Sequence, residues 1–382
     1  MKTSQNDVLR LIATGQASTR QDIAGKLCLS KATVSGICGE LIRSGYLIER
    51  EEKDSSHSAG RRAVRLELHP AAPTCCGMLV RRRDLSVVLT ELDGRLIAVS
   101  RCNFDSITPD RLTDELVERG RALIKRCGRR VLGVGIAALG PVDTQRRTIA
   151  SPPDFYGIRD LPIADRAEEA LELPAWFMHD TGAAAIAELL CKTMNGTESF
   201  IYLHVLDGIG ASFVLNGKIY EGIRGNSGEL GQMTLGLNAG RLEEYANIAR
   251  VSGRIGELSE RLYVKRSLPP IRPGEVYSWA QVLSACSDGD PAALTALCEF
   301  TDYVSCSLAN TIILLNLDTV IVGCEGDGRL LCELLENRLN ERLGGSVDIH
   351  VRVRPSQFRD GAPLIGAAAM ISERLFRGEI QL

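Results

Sequence analysis

The sequence predicts an α/β protein headed by a small winged helix-turn-helix. Three observations carry that reading. Three short runs of helical hydrophobic spacing and then two alternating runs fill residues 1–70. Past His69-Pro70 the pattern changes to strands alternating with helices. Charge divides at the same place: residues 1–70 carry 11 Lys+Arg against 8 Asp+Glu, net +3, and residues 71–382 carry 34 against 40, net −6. A mildly basic head on an acidic body permits a nucleic-acid partner for the head.

The head is built in order. Val8, Leu11 and Ile12 share one helical face from Asp7 to Ala13, and Gly15 ends that helix. Ser18 is the expected N-cap of the second helix, with Gln21 at the capping-box position and Ile23, Ala24 and Leu27 inward. Leu29-Ser30 turns the chain. A third helix opens at Ser30 or Lys31, points Val34, Ile37 and Leu41 inward and ends at Gly45. The tight turn between the second and third helices is helix-turn-helix spacing. Thr19 and Arg20 at the entry of the second helix, and Ser30, Lys31, Thr33 and Ser35 on the third, are the expected contacts to double-stranded DNA. Gly36 permits close backbone approach and costs the helix about 1 kcal/mol. Tyr46–Arg50 and Ala63–Leu68 read as the strands of a wing. The polar stretch Lys53 to Arg62 between them carries Arg61 and Arg62, a basic tip for phosphate or minor-groove contact. The alternative is a solvated hairpin on a protein-interaction module.

With 382 residues, 45% hydrophobic and 24% charged, the chain can bury a core without staples. No apolar run reaches the roughly 18 residues of a membrane span, and the start, Met1 to Asp7, lacks a signal-peptide core. The expected location is the cytoplasm, with no membrane partner. The twelve cysteines are scattered and none are spaced C-x-x-C, as expected of reduced thiols acting as small hydrophobes.

In the body, Cys76 to Leu92 holds two strand-like runs broken at Arg81-Arg82-Arg83-Asp84, and Asp93-Gly94 is a hairpin signal. Residues 111–127 read as helix and Val131 to Leu139 as a buried strand. Ala175 to Met178 is a strand that ends in His179-Asp180 and passes directly into an alanine-rich helix. A carboxylate at the carboxyl end of a strand is where α/β folds place ligand contacts. Ile201–Val205 and Ser212–Leu215 are strands, and Asn216-Gly217 signals a type I′ turn.

Several stretches then carry a specific resemblance: Gly133 to Asp143 (GVGIAALGPVD), Ser151-Pro152-Pro153-Asp154, Asp180 with Ala183 to Glu188, Asp207-Gly208-Ile209-Gly210, Gly225 to Thr234 (GNSGELGQMT) and Pro363 to Ala368. The body resembles the ROK family, named for repressors, open reading frames and kinases. The similarity spans almost the whole chain, since the repressor branch carries a winged helix in front. It implies an actin-like, ribonuclease-H-like pair of lobes with a sugar cleft. The expected division is residues 1–70 for the head, 71–185 for a smaller lobe joined by a C-terminal helix at 362–382, and 186–361 for a larger lobe.

The resemblance also shows what is missing. Family kinases begin the body with an Asp and a Gly-Gly-Thr-Lys turn; here Leu79 stands at the acid, Arg81 and Arg82 at the glycines and Asp84 at the lysine. Side chains there crowd a backbone that must approach phosphate closely. The turn Asp207 to Gly210 survives, and Gly323 to Gly328 is interrupted by Cys324 and Glu325. Most members bind a structural zinc through a His and a Cys-rich loop; here Gln232 replaces the His, Arg241 stands at the last Cys, and no cysteine lies between them. No metal and no cofactor is expected. The resemblance places Asp154, Asp180, Glu229, Gln232 and Glu243 around the sugar. In the kinases the residue at Asp180 is the general base; without a phosphate donor it only binds. Asp154 and His179 each replace an Asn.

The resulting expectation is a non-enzymatic, sugar-responsive DNA-binding regulator, a repressor of carbohydrate uptake or metabolism genes. It acts as a homodimer or homotetramer on a pseudo-palindromic operator, with a small carbohydrate as effector. The alternatives are an active sugar kinase with a DNA-binding head and a constitutive repressor without ligand; for the pocket itself, the alternative is a sugar phosphate or an amino sugar.

Overall fold

A computed structural model describes residues 5–51, 64–190, 199–262, 267–272, 274–344 and 348–382 of the chain. The chain divides into two compact units, Met1–Asn195 with Pro363–Leu382, and Gly196–Ala362. The boundary expected at residue 185 falls inside a helix, Asp180–Leu190, and the head clusters with the first lobe.

The head contains α1 (Gln5–Ala13), α2 (Arg20–Leu27), α3 (Lys31–Arg43) and the antiparallel pair β1 (Leu47–Glu51) and β2 (Val64–Leu68). Val8, Leu11 and Ile12 are buried, joined by Leu9. The cap of α2 is Thr19, not Ser18: the Thr19 hydroxyl accepts from Asp22 N–H at 3.1 Å, and the Asp22 carboxylate accepts from Thr19 N–H at 3.1 Å. The register follows the acid, because a carboxylate answers the helix N-terminus better than the Gln21 amide does. The Thr19 hydroxyl holds the Asp22 carboxyl below its usual range. In α3 the buried residues are Val34, Cys38 and Leu41, and Ile37 is only half-buried. Steps of four and three residues keep Cys38 on the inner stripe. Leu66 N–H donates to Ser18 O at 2.8 Å and closes the wing against α2. Arg61 and Arg62 lie outside the described residues.

The rest of the first unit runs β3 (Thr74–Val80), β4 (Asp84–Thr90), β5 (Leu96–Asn103), α4 (Pro109–Cys127), β6 (Val131–Ala138), β7 (Val142–Asp143), β8 (Thr148–Ile149), α5 (Ile163–Leu171), β9 (Ala175–His179) and α6 (Asp180–Leu190). Its main sheet has the order β5-β4-β3-β6-β9; β4 is antiparallel to both neighbours, and β3, β6 and β9 are parallel. The second unit contains β10 (Phe200–Val205), β11 (Ile209–Leu215), β12 (Lys218–Tyr220), α7 (Leu242–Tyr245), α8 (Ile248–Leu262), α9 (Trp279–Ser287), α10 (Pro291–Leu315), β13 (Thr319–Cys324), α11 (Arg329–Leu343) and β14 (Arg352–Pro355). Its order, β12-β11-β10-β13-β14, repeats the same scheme with the same directions. Two copies of one ribonuclease-H-like sheet account for the two lobes. Leu215 pairs with Lys218 across Asn216 and Gly217, both at positive φ, as a type I′ turn requires.

The C-terminal helix α12 (Ala362–Phe376) packs in the first unit. A β-carbon on Gly366 would lie 1.7 Å from Ala183 O, so α12 crosses α6 backbone against backbone and tolerates only glycine there. Near its end, Leu375 O accepts from the Asn6 side chain of α1. The second core packs Leu297, Phe300, Val304 and Leu308 of α10 against Ile201, Leu203, Val320 and Val322. Trp279 is buried there and donates its indole N–H to Leu206 O at 2.7 Å. Among the described residues, eleven cysteines are free thiols, and no helix is long and apolar enough to cross a membrane.

Candidate functional site

The head presents the N-terminal half of α3. Ser30 is its N-cap: its hydroxyl accepts from Thr33 N–H at 3.1 Å and lies 2.8 Å from Thr33 Oγ1. Lys31, Thr33, Ser35 and Gly36 are exposed. Thr19 and Ser30 are thus spent on caps, and Arg20 pairs with Glu49 of β1 at 2.5 Å. No sequence motif signals that pair, between residues far apart in the chain. No atom lies within 4 Å of a β-carbon built on Gly36. Packing therefore does not demand glycine at this mid-helix position. Gly36→Ala is expected to stabilise the protein by about 1 kcal/mol in denaturant titration while weakening DNA binding in gel shift; unchanged DNA affinity would remove Gly36 from the interface.

In the first unit, Asp154 is exposed at φ 52° in the loop between β8 and α5, next to the buried Phe155. The Arg82 guanidinium donates to Pro153 O beside it. Asp180 opens α6 at the carboxyl end of β9, where the helix N-terminus favours its charge. Its Oδ1 is 2.9 Å from His179 Nδ1, and both side chains are 14% exposed. The same Nδ1 is 2.8 Å from Thr181 Oγ1. Adjacency in the sequence signals this pairing.

In the second unit, a β-carbon on Gly228 would meet Ala211 O at 2.0 Å, so the chain runs directly along β11, with Ala211 N–H donating to Gly228 O at 2.8 Å. Glu229 follows, exposed, and its carbonyl accepts from Gln232 N–H at 3.0 Å. The Gln232 side chain donates to Glu243 Oε2, on α7, at 2.9 Å. Gln232 and Glu243 are therefore brought together, and the Glu243 carboxylate closes over the Asp207–Gly210 turn, where a β-carbon on Gly208 would lie 2.5 Å from Oε1.

Residues 77–374 match the ROK family. The chain belongs to it. The xylose repressor of Caldicellulosiruptor bescii is 24% identical over 378 residues, 95% of this chain and 94% of that protein. The N-acetylglucosamine repressor of Escherichia coli O6:H1 is 26% identical over 389 residues, 97% and 92%. The crystal structure of a ROK family transcriptional regulator, a homolog of the E. coli MLC protein, superposes with a TM-score of 0.77 at 23% identity, covering 98% of this chain and 96% of that one.

The resemblance puts the kinases' first phosphate turn at residues 79–84. Leu79, which the resemblance sets against the kinases' acid, is 2% exposed in β3. Across that turn the Arg81 N–H donates to Asp84 O at 2.9 Å. At the third turn, beyond β13, a cavity of about 250 Å³ is lined by Cys324, Asp327, Gly328, Arg329 and Arg359. Burial pushes the Cys324 thiol up to about 12, and Arg329 holds the Asp327 carboxyl down to about 2. The family zinc does not fit either. The Arg241 guanidinium donates to Gln232 Oε1 at 2.6 Å, so a cation and an amide stand where two metal ligands are required.

Proposed function

We propose that this chain is a sugar-responsive, DNA-binding transcriptional repressor of carbohydrate uptake or metabolism genes, and that its kinase-like body senses an effector without transferring phosphate. The observation that carries this reading is Leu79, buried where a kinase needs an acid, in a body fused to a helix-turn-helix head. Phosphoryl transfer depends on a phosphate cradle, Mg²⁺ ligands and a base together, and the resemblance sets Leu79, Arg81 and Arg82 against the acid and glycines of that cradle. Support for the regulator comes from relatives named as repressors along nearly their full length. Asp154, Asp180, Glu229, Gln232 and Glu243 are the proposed carbohydrate contacts. Xylose and N-acetylglucosamine, the sugars for which the relatives are named, and glucose are the first sugars to test.

The proposed assembly is a homodimer or homotetramer on a pseudo-palindromic operator, because one winged helix reads too few base pairs and two-fold proteins match two-fold sites. In a coupled assay with ATP and these sugars, no turnover above background is expected. In footprinting, two symmetric half-sites spaced by a helical turn are expected. Sugar-dependent ADP release would favour the kinase reading, and an asymmetric single half-site bound by a monomer would contradict the assembly.

A further inference from the structure

The Gln232 amide is held from both ends. Its Oε1 accepts from Arg241 Nη1 at 2.6 Å, and its Nε2 donates to Glu243 Oε2 at 2.9 Å. A guanidinium offers only donors and a carboxylate only acceptors. Those two partners leave the amide a single orientation; either flip would set donor against donor and acceptor against acceptor.

The backbone fixes the spacing. Thr234 bridges to Arg241 in antiparallel fashion, Leu235 N–H donates to Gly240 O at 3.2 Å, and Leu242 N–H donates to Met233 O at 2.8 Å. Gly240 N–H donates to Tyr245 Oη at 3.2 Å, and the Tyr245 ring lies 5.3 Å from that of Tyr303 on α10. The short segment is thus a closed reverse turn that sets Arg241 across from Gln232. On its other side the Glu243 carboxylate rests against Gly208 and Gly231.

We propose that Arg241 is a positioning residue: it orients the Gln232 amide and, through it, the Glu243 carboxylate, so that the second amide hydrogen and the carboxylate oxygens face a vicinal diol. The relay takes the place of the zinc loop that the family resemblance implies for other members. This proposal rests on the sugar-binding reading above. A donor beside an acceptor complements two neighbouring hydroxyls, each of which both donates and accepts. Losing Arg241 frees the amide to rotate, and ligand affinity falls while the fold stays, because Arg241 is exposed.

The test uses the full chain with Arg241→Met and Arg241→Lys, and xylose, glucose and N-acetylglucosamine as probes. The wild type is expected to carry no stoichiometric zinc and to keep its sugar affinity after chelation. In Arg241→Met, the Gln232 side-chain amide resonance is expected to move to the position of a free amide. Calorimetry should then show the tightest sugar weakened about tenfold, the scale of one charge-assisted hydrogen bond, with Arg241→Lys between the two and thermal midpoints unchanged. An unmoved amide resonance, an unchanged affinity in Arg241→Met, or stoichiometric zinc in the wild type overturns the proposal. A relay that behaves as stated in a protein binding none of the three sugars overturns the sugar reading instead.

Discussion

Replacing Lys31 and Thr33 with alanine is expected to remove operator discrimination while leaving the protein folded. Both side chains stand exposed at the start of α3, the part of a recognition helix that reaches base edges. Each good base contact is worth about 1–3 kcal/mol of discrimination, so each substitution should cost roughly 5- to 150-fold in specific affinity and little in binding to random DNA. The cost to the fold is small. Lys31 is a surface residue, and the Ser30 cap bonds to the Thr33 backbone N–H, which the substitution keeps. Ser30→Ala is the contrasting control: it removes the cap and costs about 1 kcal/mol of stability. Gel shifts on operator and random duplexes, with denaturant titrations alongside, separate the two effects. Equal specificity in the Lys31→Ala, Thr33→Ala double variant would move recognition off α3.

Much of this fold is legible in the sequence because it is written in periods. The change at residue 70 to strands alternating with helices, the strand runs of β3 and β6, and Asn216-Gly217 are local signals that tertiary packing then respects. The pair of like lobes came from the family resemblance, since no local signal pairs β3 with β6 rather than with a later strand. What stayed illegible is competition between near-equal neighbours. Ser18 and Thr19 both cap well, and Asp22 decided between them. Ile37 is more hydrophobic than Cys38, yet helix phase placed the cysteine inside. The side-chain pairs Arg20–Glu49, His179–Asp180 and Arg241–Gln232 decide which site residues are available, and a sequence motif names residues without naming their partners.

Asp180→Asn is expected to shift the sugar response to higher concentration without changing operator binding by the free protein. The carboxylate sits at the first residue of α6, 2.9 Å from His179 Nδ1. Asparagine keeps the shape and one oxygen acceptor, so the fold loses a helix-terminal charge effect of about 0.3–1 kcal/mol and the charge in the pair with His179. The loss to a ligand is that of the charge: a hydrogen bond to a carboxylate is worth about 1.5–3 kcal/mol and one to a neutral amide oxygen about 0.5–1.5 kcal/mol, a difference of roughly 5- to 13-fold in effector affinity. A ligand moves an equilibrium only by its differential affinity for the two states, and coupling of about 1–3 kcal/mol changes operator affinity roughly 5- to 150-fold. The variant therefore tells binding from switching. If Asp180 only holds the sugar, saturating sugar still releases the operator fully and the midpoint alone moves. If Asp180 grips the sugar only in the state that leaves DNA, the amplitude of release falls as well. Gel-shift titration of both proteins with the tightest-binding sugar reads midpoint and amplitude together. An unchanged curve would remove Asp180 from the effector site, and lost operator binding without sugar would make it a residue of the fold.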